Sequence, residues 1–228
     1  MERNFLGRKS IEELKKEAVL VRYAREAIDF ANELLEEKVR KEKFLNIDPE
    51  HSHLKSELKT GEYAMAITYN PINFVLSFDP GYYLDNTPDY KIEDDLVREL
   101  VVANMVFHEY GHHIQSMIGK GFEENKAWVE DTADYISGYL LRKFVEKKNK
   151  QKETEIFFAN IDEYFGEEHM FRTTLNTEFG NVFVGLPQGE YRSIRSHNKD
   201  KNRNQIIKKG YDEGGDDNNL KEFVLNYK

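Results

Sequence analysis

No cysteine occurs in the 228 residues, which excludes disulfides, thiolate metal ligands and cysteine nucleophiles together. Any metal must therefore be held by histidine and carboxylate side chains. No apolar run approaches the length of a membrane span, so no membrane segment is expected. Net positive charge is missing as well. The formal charge of -9 argues against nucleic acid as a partner, because binding to a phosphate backbone needs a basic surface. The first nine residues have no apolar core of a secretory signal, which predicts a cytoplasmic protein. No internal repeat or domain linker is evident.

What is present describes a globular chain: 39% apolar, 13% aromatic and 33% charged residues, enough for one compact domain with a sizeable core. Ser10-Ile11-Glu12-Glu13 reads as a capping box. A long helix follows to about Phe44. Its apolar stripe, Ile11, Leu14, Ala18, Val21, Ala24, Ile28, Ala31, Leu35 and Val39, predicts packing against the domain in preference to coiled-coil pairing. Tyr63 to Phe78 alternates with period two about Asn70-Pro71, predicting a hairpin and hence a small antiparallel sheet. Residues 81–90 read as a loop. Helical spacing returns from Ile92 to Ile118, stopped by Gly119 and Gly121, and a second helix is expected from Glu123 to Lys148. Further expectations are a helix over 154–165, a strand at Val182-Phe183-Val184 and a short helix from Asp200 ended by Gly210. The acidic, glycine-rich stretch from Asp212 to Asn219 reads as a mobile loop or fray. Together these elements predict an α+β, mainly helical fold, with residues 1–60 as an amino-terminal helical segment packed on a domain of residues 61–228.

The chemistry is concentrated in His108-Glu109-Tyr110-Gly111-His112. Two histidines one helical turn apart face the same way and can share one ion, with a carboxylate beside the first, an arrangement that suits zinc. A chance match is on the order of a few in a hundred for such a composition, so a third ligand is the discriminating requirement. If the two helices run antiparallel, His112 lies seven residues before the turn and Glu130 seven after it, each roughly 10 Å away. The same count brings Asp134 level with His108. Glu130 is thus the third candidate ligand, and Asp134 the acceptor for the other ring nitrogen of His108. Asp131 lies about 100° round the helix from Glu130 and should face elsewhere. His113 points off the metal face and reads as a core or substrate-side residue. Glu109 is the candidate base, taking a proton from water and passing it to a leaving group.

His108-Glu109-Tyr110-Gly111-His112-His113-Ile114-Gln115, with the later Glu130-Asp131-Thr132-Ala133-Asp134-Tyr135-Ile136-Ser137-Gly138, resembles the neutral zinc metallopeptidase family of the YpfJ type. The closing Ser196-His197, Arg203 and Gly210-Tyr211-Asp212 are similar to its final segment, and Tyr69-Asn70-Pro71 through Ser77-Phe78-Asp79 to its strand pair, without the family's cysteine. The resemblance implies a zincin-like metallopeptidase domain acting on a peptide or protein substrate, with zinc on His108, His112 and Glu130 and with Glu109 as base. A tetrahedral oxyanion needs a further donor, for which His197 and Tyr191 are the candidates. A peptide could add to the edge of the hairpin. Two other readings use the same motif: a regulatory protease of the ImmA/IrrE type cutting one partner, and a binding protein with a structural metal. An intact Glu109 counts against the last, since a structural zinc closes its coordination with a fourth protein ligand.

Overall fold

The computed structural model describes residues 10–42, 45, 47, 54–58, 67–81, 95–119, 126–152 and 200–226. In chain order these form helix α1 (Ile11–Glu42), strands β1 (Lys55–Leu58), β2 (Ile67–Asn70) and β3 (Val75–Phe78), and helices α2 (Asp95–Met117), α3 (Lys126–Lys152), α4 (Asp200–Glu213) and α5 (Asp217–Asn226). The architecture is mainly helical with one small sheet. None of the described helices is long and apolar enough to cross a membrane. The helix expected at 154–165 and the strand at 182–184 lie outside the described residues, as does most of the loop from Gly81.

The capping box closes α1 as its residues require. The Ser10 amide donates to Glu13 Oε2 at 2.6 Å, and the Glu13 amide donates to Ser10 Oγ at 3.2 Å, so two donors that the helix cannot satisfy are paired. The apolar stripe is only partly used. Ala24, Ile28, Ala31, Leu35 and Val39 are buried, joined by Leu20, Tyr23, Ala27 and Phe30, whereas Ile11 and Leu14 remain 75% and 51% exposed. Among the described residues nothing covers the first turns of α1, and burial begins near Leu20. Further along, Phe30 of α1, Phe107 of α2 and Phe144 of α3 meet with ring centroids 5.3 to 6.0 Å apart, within the range of favourable edge and tilted ring packing. Beside them Lys148 of α3 pairs with Glu26 of α1 at 2.7 Å and Glu99 of α2 at 2.5 Å. Burial pushes the Lys148 ammonium down, but these two carboxylates outweigh it and hold the pKa above the ordinary lysine value.

The hairpin is present as β2 and β3, paired antiparallel with Ile67 opposite Phe78 and Asn70 opposite Val75. The sheet has a further strand: β1 joins the other side of β3 in parallel, giving the order β1-β3-β2. Lys-Ser-Glu-Leu carries no apolar alternation, so nothing local marks β1 as a strand. Asn32 of α1 supplies its anchor. The Asn32 amide donates to the Leu54 carbonyl at 3.1 Å and accepts from the Leu54 amide at 2.9 Å, while the buried Tyr110 hydroxyl of α2 donates to the same Asn32 oxygen at 3.0 Å. One buried side chain thereby ties α1, the approach to β1 and α2.

Two expectations at the carboxy-terminal end are overturned. Helix α4 continues through Gly210, which was expected to end it. A Cβ at Gly210 would lie 2.1 Å from the Tyr135 carbonyl oxygen, and one at Gly138 only 1.9 Å from that of Ile207. These glycines mark where α3 and α4 cross in backbone contact, a non-local reason for glycine inside a helix. The stretch from Asp212 to Asn219 holds the end of α4, a turn at 214–216 and the start of α5. Its acids have specific partners: Tyr135 donates to Glu213 at 2.7 Å, and Tyr139 to Asp217 at 2.5 Å, with Lys38 of α1 also on Asp217. Phe223 of α5 stacks on Tyr135 at 3.8 Å.

Candidate metal centre

Helices α2 and α3 form an antiparallel pair, visible in a ladder of side-chain contacts that step in opposite directions along the two chains. Gln115 reaches Val129, His112 reaches Glu130, His108 reaches Asp134 and Asn104 reaches Ser137. Helix α3 is described from Lys126, and the expected start at Glu123 lies outside the described residues. Gly111 sits at the centre of the ladder. A Cβ there would meet Ala133 Cα at 2.7 Å and its carbonyl oxygen at 3.0 Å, so the lack of a side chain lets the two backbones approach at this level.

That approach brings three side chains together. Glu130 Oε2 lies 3.4 Å from His108 Nε2 and 3.8 Å from His112 Nε2. One ligand atom from each of the three residues lies within 4.8 Å of the others, so the group could hold a metal ion. His108 and Glu130 are buried and His112 is partly exposed, which leaves one side open to solvent. The imidazole planes stand 86° apart with centroids 4.8 Å apart, as two rings converging from successive turns must.

The remaining ring nitrogens settle which tautomer each histidine carries. His108 Nδ1 is 2.8 Å from Asp134 Oδ1, and a carboxylate only accepts, so Nδ1 carries the proton. For His112 the argument needs one more residue. Gln115 is fully buried, its nitrogen donates to the Val129 carbonyl at 2.6 Å, and its oxygen is 2.9 Å from His112 Nδ1. Val129's carbonyl can only accept, so the amide oxygen must face His112, which therefore donates from Nδ1. With Nδ1 engaged in each ring, both Nε2 atoms are the ones that face the position shared with Glu130, and Nε2 of a neutral imidazole so oriented is the atom that ligates a metal. Replacing Asp134 by alanine is expected to weaken metal binding by about 10- to 100-fold, measured by competition with a chromogenic chelator; unchanged affinity would show that Asp134 does not orient His108.

Glu109 is partly exposed on α2 beside His108. Asp131 is buried outside the three-residue group. His113 lies wholly in the core, where its Nδ1 hydrogen-bonds the Tyr69 hydroxyl at 3.1 Å and its ring packs on Tyr69, Phe74 and Tyr110 with centroids 5.4 to 5.6 Å away. The hairpin is thereby docked on the helix that carries the two candidate histidine ligands. Tyr191 and His197 lie outside the described residues. Gln115 and Gly111 were not singled out from the sequence for the work they do here. The available signal was spacing: Gln115 falls three residues, one turn, after His112 on the same helix.

Comparison of the chain with protein-family models, with curated proteins and with solved structures found no match.

Proposed function

We propose that the protein is a zinc metallopeptidase with a zincin-like catalytic arrangement. The observation that carries this reading is the convergence of His108, His112 and Glu130 with both Nδ1 atoms already engaged. A tetrahedral zinc with bonds of about 2.0–2.1 Å has ligand-to-ligand edges of about 3.4 Å. The separations of 3.4 and 3.8 Å from Glu130 to the two imidazoles support that ion, as does a donor set of two imidazoles and one carboxylate. Among the described residues the group has three members, the number of protein ligands in catalytic zinc sites, whereas structural sites use four.

When bound, zinc polarises a carbonyl oxygen and brings the pKa of a water near neutrality. The chain's own residues do the rest. Glu109 accepts the proton of the water whose oxygen bonds to the peptide carbonyl carbon, and returns it to the amine nitrogen as the carbon–nitrogen bond breaks. Asp134 and Gln115 hold the imidazoles in orientation throughout. A peptide or protein in extended form pairs with the outer edge of β2, which ends the sheet order among the described residues and packs on α2.

Protein loaded with zinc is expected to bind one equivalent by elemental analysis and to cleave casein. Chelation by 1,10-phenanthroline should abolish cleavage and added zinc should restore it. A one-to-one zinc complex that leaves casein and a panel of unstructured peptides intact would end the peptidase reading while sparing the metal site.

A further inference from the structure

Gln115 is completely buried near the carboxy-terminal end of α2, beside the start of α3. A residue that only filled this space would be leucine or methionine, because a buried amide costs free energy unless both of its ends are met. Both ends are met. Its oxygen is 2.9 Å from Nδ1 of His112, one turn back on α2, and its nitrogen donates at 2.6 Å to the Val129 carbonyl of α3. That carbonyl belongs to the peptide group joining Val129 to Glu130. Beyond Glu130, α3 is tied to α2 again, by Asp134 on His108 and Ser137 on Asn104. The backbone that carries Glu130 is therefore held on both sides of the residue.

We infer that Gln115 is a positioning residue for two of the three candidate ligands at once, fixing the His112 ring through its oxygen and the backbone at Glu130 through its nitrogen. This rests on the metal-site half of the proposed function and not on peptide cleavage. The coupling is mechanical. An amide is rigid and planar, so its oxygen and nitrogen cannot move independently, and a displacement of His112 is passed on to Val129. Asp134 orients one imidazole, whereas Gln115 acts on an imidazole and on the turn of helix bearing the carboxylate that shares its ion. Ligands ordered in advance leave less conformational entropy to lose when the ion binds.

The test uses the full chain and Gln115→Met, which nearly keeps the volume and removes both hydrogen bonds. Nitrogen-15 spectra of the metal-free, histidine-labelled wild type, recorded well above the imidazole titration range, should show His112 protonated at Nδ1 and bare at Nε2. In Gln115→Met, His112 is expected to become a mixture containing the Nε2-protonated form, while His108, held by Asp134, keeps its wild-type resonances. The carbon-13 resonance of the Val129 carbonyl should move in the same variant. Zinc affinity, measured by chelator competition, should fall further than the about 10- to 100-fold expected for Asp134→Ala, since two ligands are released and not one. A wild-type His112 protonated at Nε2 would overturn the coupling. So would a Gln115→Met protein in which His112 or the Val129 carbonyl is unchanged, or in which zinc affinity falls no further than in Asp134→Ala. A His108 that changes along with His112 would also overturn it, marking a general loosening of the helix pair. Should Gln115→Met not fold, the wild-type tautomer still decides, together with the side-chain amide protons of Gln115, which exchange slowly with solvent if the nitrogen is bonded to Val129. If the wild type binds no zinc while these spectra come out as expected, the failure lies with the metal-site reading.

Discussion

Glu109→Gln is expected to lower peptide cleavage by about 10²- to 10⁴-fold, the usual contribution of a positioned general base, while the protein retains its full equivalent of zinc. The split follows from where the residue sits. His108, His112 and Glu130 supply the metal group without Glu109, and Asp134 and Gln115 orient the two imidazoles from the far side. Glutamine preserves the length and shape of the side chain, and Glu109 is partly exposed, so no buried packing is disturbed. What disappears is an acceptor of sufficient basicity. The zinc content of the variant decides how the result is read. Lost activity with lost zinc would make Glu109 part of the metal's environment; retained activity with retained zinc would remove it from the chemistry.

The paired histidines and the antiparallel helix register were legible in the sequence because both depend on local periodicity. Four residues make one turn, and two regular rods joined by a short connection come into level by counting outward. What escaped reading was set by tertiary contact. Gly210 looks like a helix stop because glycine's local signature is a terminus, yet its use is the crossing with Tyr135, some seventy-five residues away in sequence. The stretch Asp212 to Asn219 looks solvated because it is dense in charge, until Lys38, Tyr135 and Tyr139 are seen to meet its acids. The upper stripe of α1 has the right period, but among the described residues no surface covers it, and Ile11 and Leu14 stay exposed. Strand β1 has no pattern of its own and exists through its pairing with β3.

Gly111→Ala sets local and tertiary demands against each other directly. Within a helix, alanine is favoured over glycine by roughly 0.5–1 kcal/mol, so a helix considered alone would be stabilised. Against that, the new Cβ would stand 2.7 Å from Ala133 Cα and 3.0 Å from its carbonyl oxygen. Both are backbone atoms of α3, which cannot rotate aside as a side-chain end does. Overpacking of this kind costs about 1–3 kcal/mol, so the net expectation is a loss of stability, read as a lower denaturation midpoint. The larger effect falls on the metal. Relief of the contact requires α2 and α3 to separate at the level where Glu130 reaches His108 and His112, and an ion bound at about 2 Å to each tolerates deviations of only about 0.2 Å. Zinc affinity in Gly111→Ala is therefore expected to fall by at least about 100-fold, beyond the about 10- to 100-fold anticipated for removing Asp134. Gly138→Ala provides the comparison, since its Cβ would strike Ile207 of α4 at 1.9 Å and force apart a different pair of helices. That variant should lose stability with little change in the zinc affinity of whatever fraction stays folded. If both variants lost zinc equally, close approach at Gly111 would have no special bearing on the site; if Gly111→Ala bound zinc normally, Glu130 would have to reach the imidazoles by some route other than backbone contact.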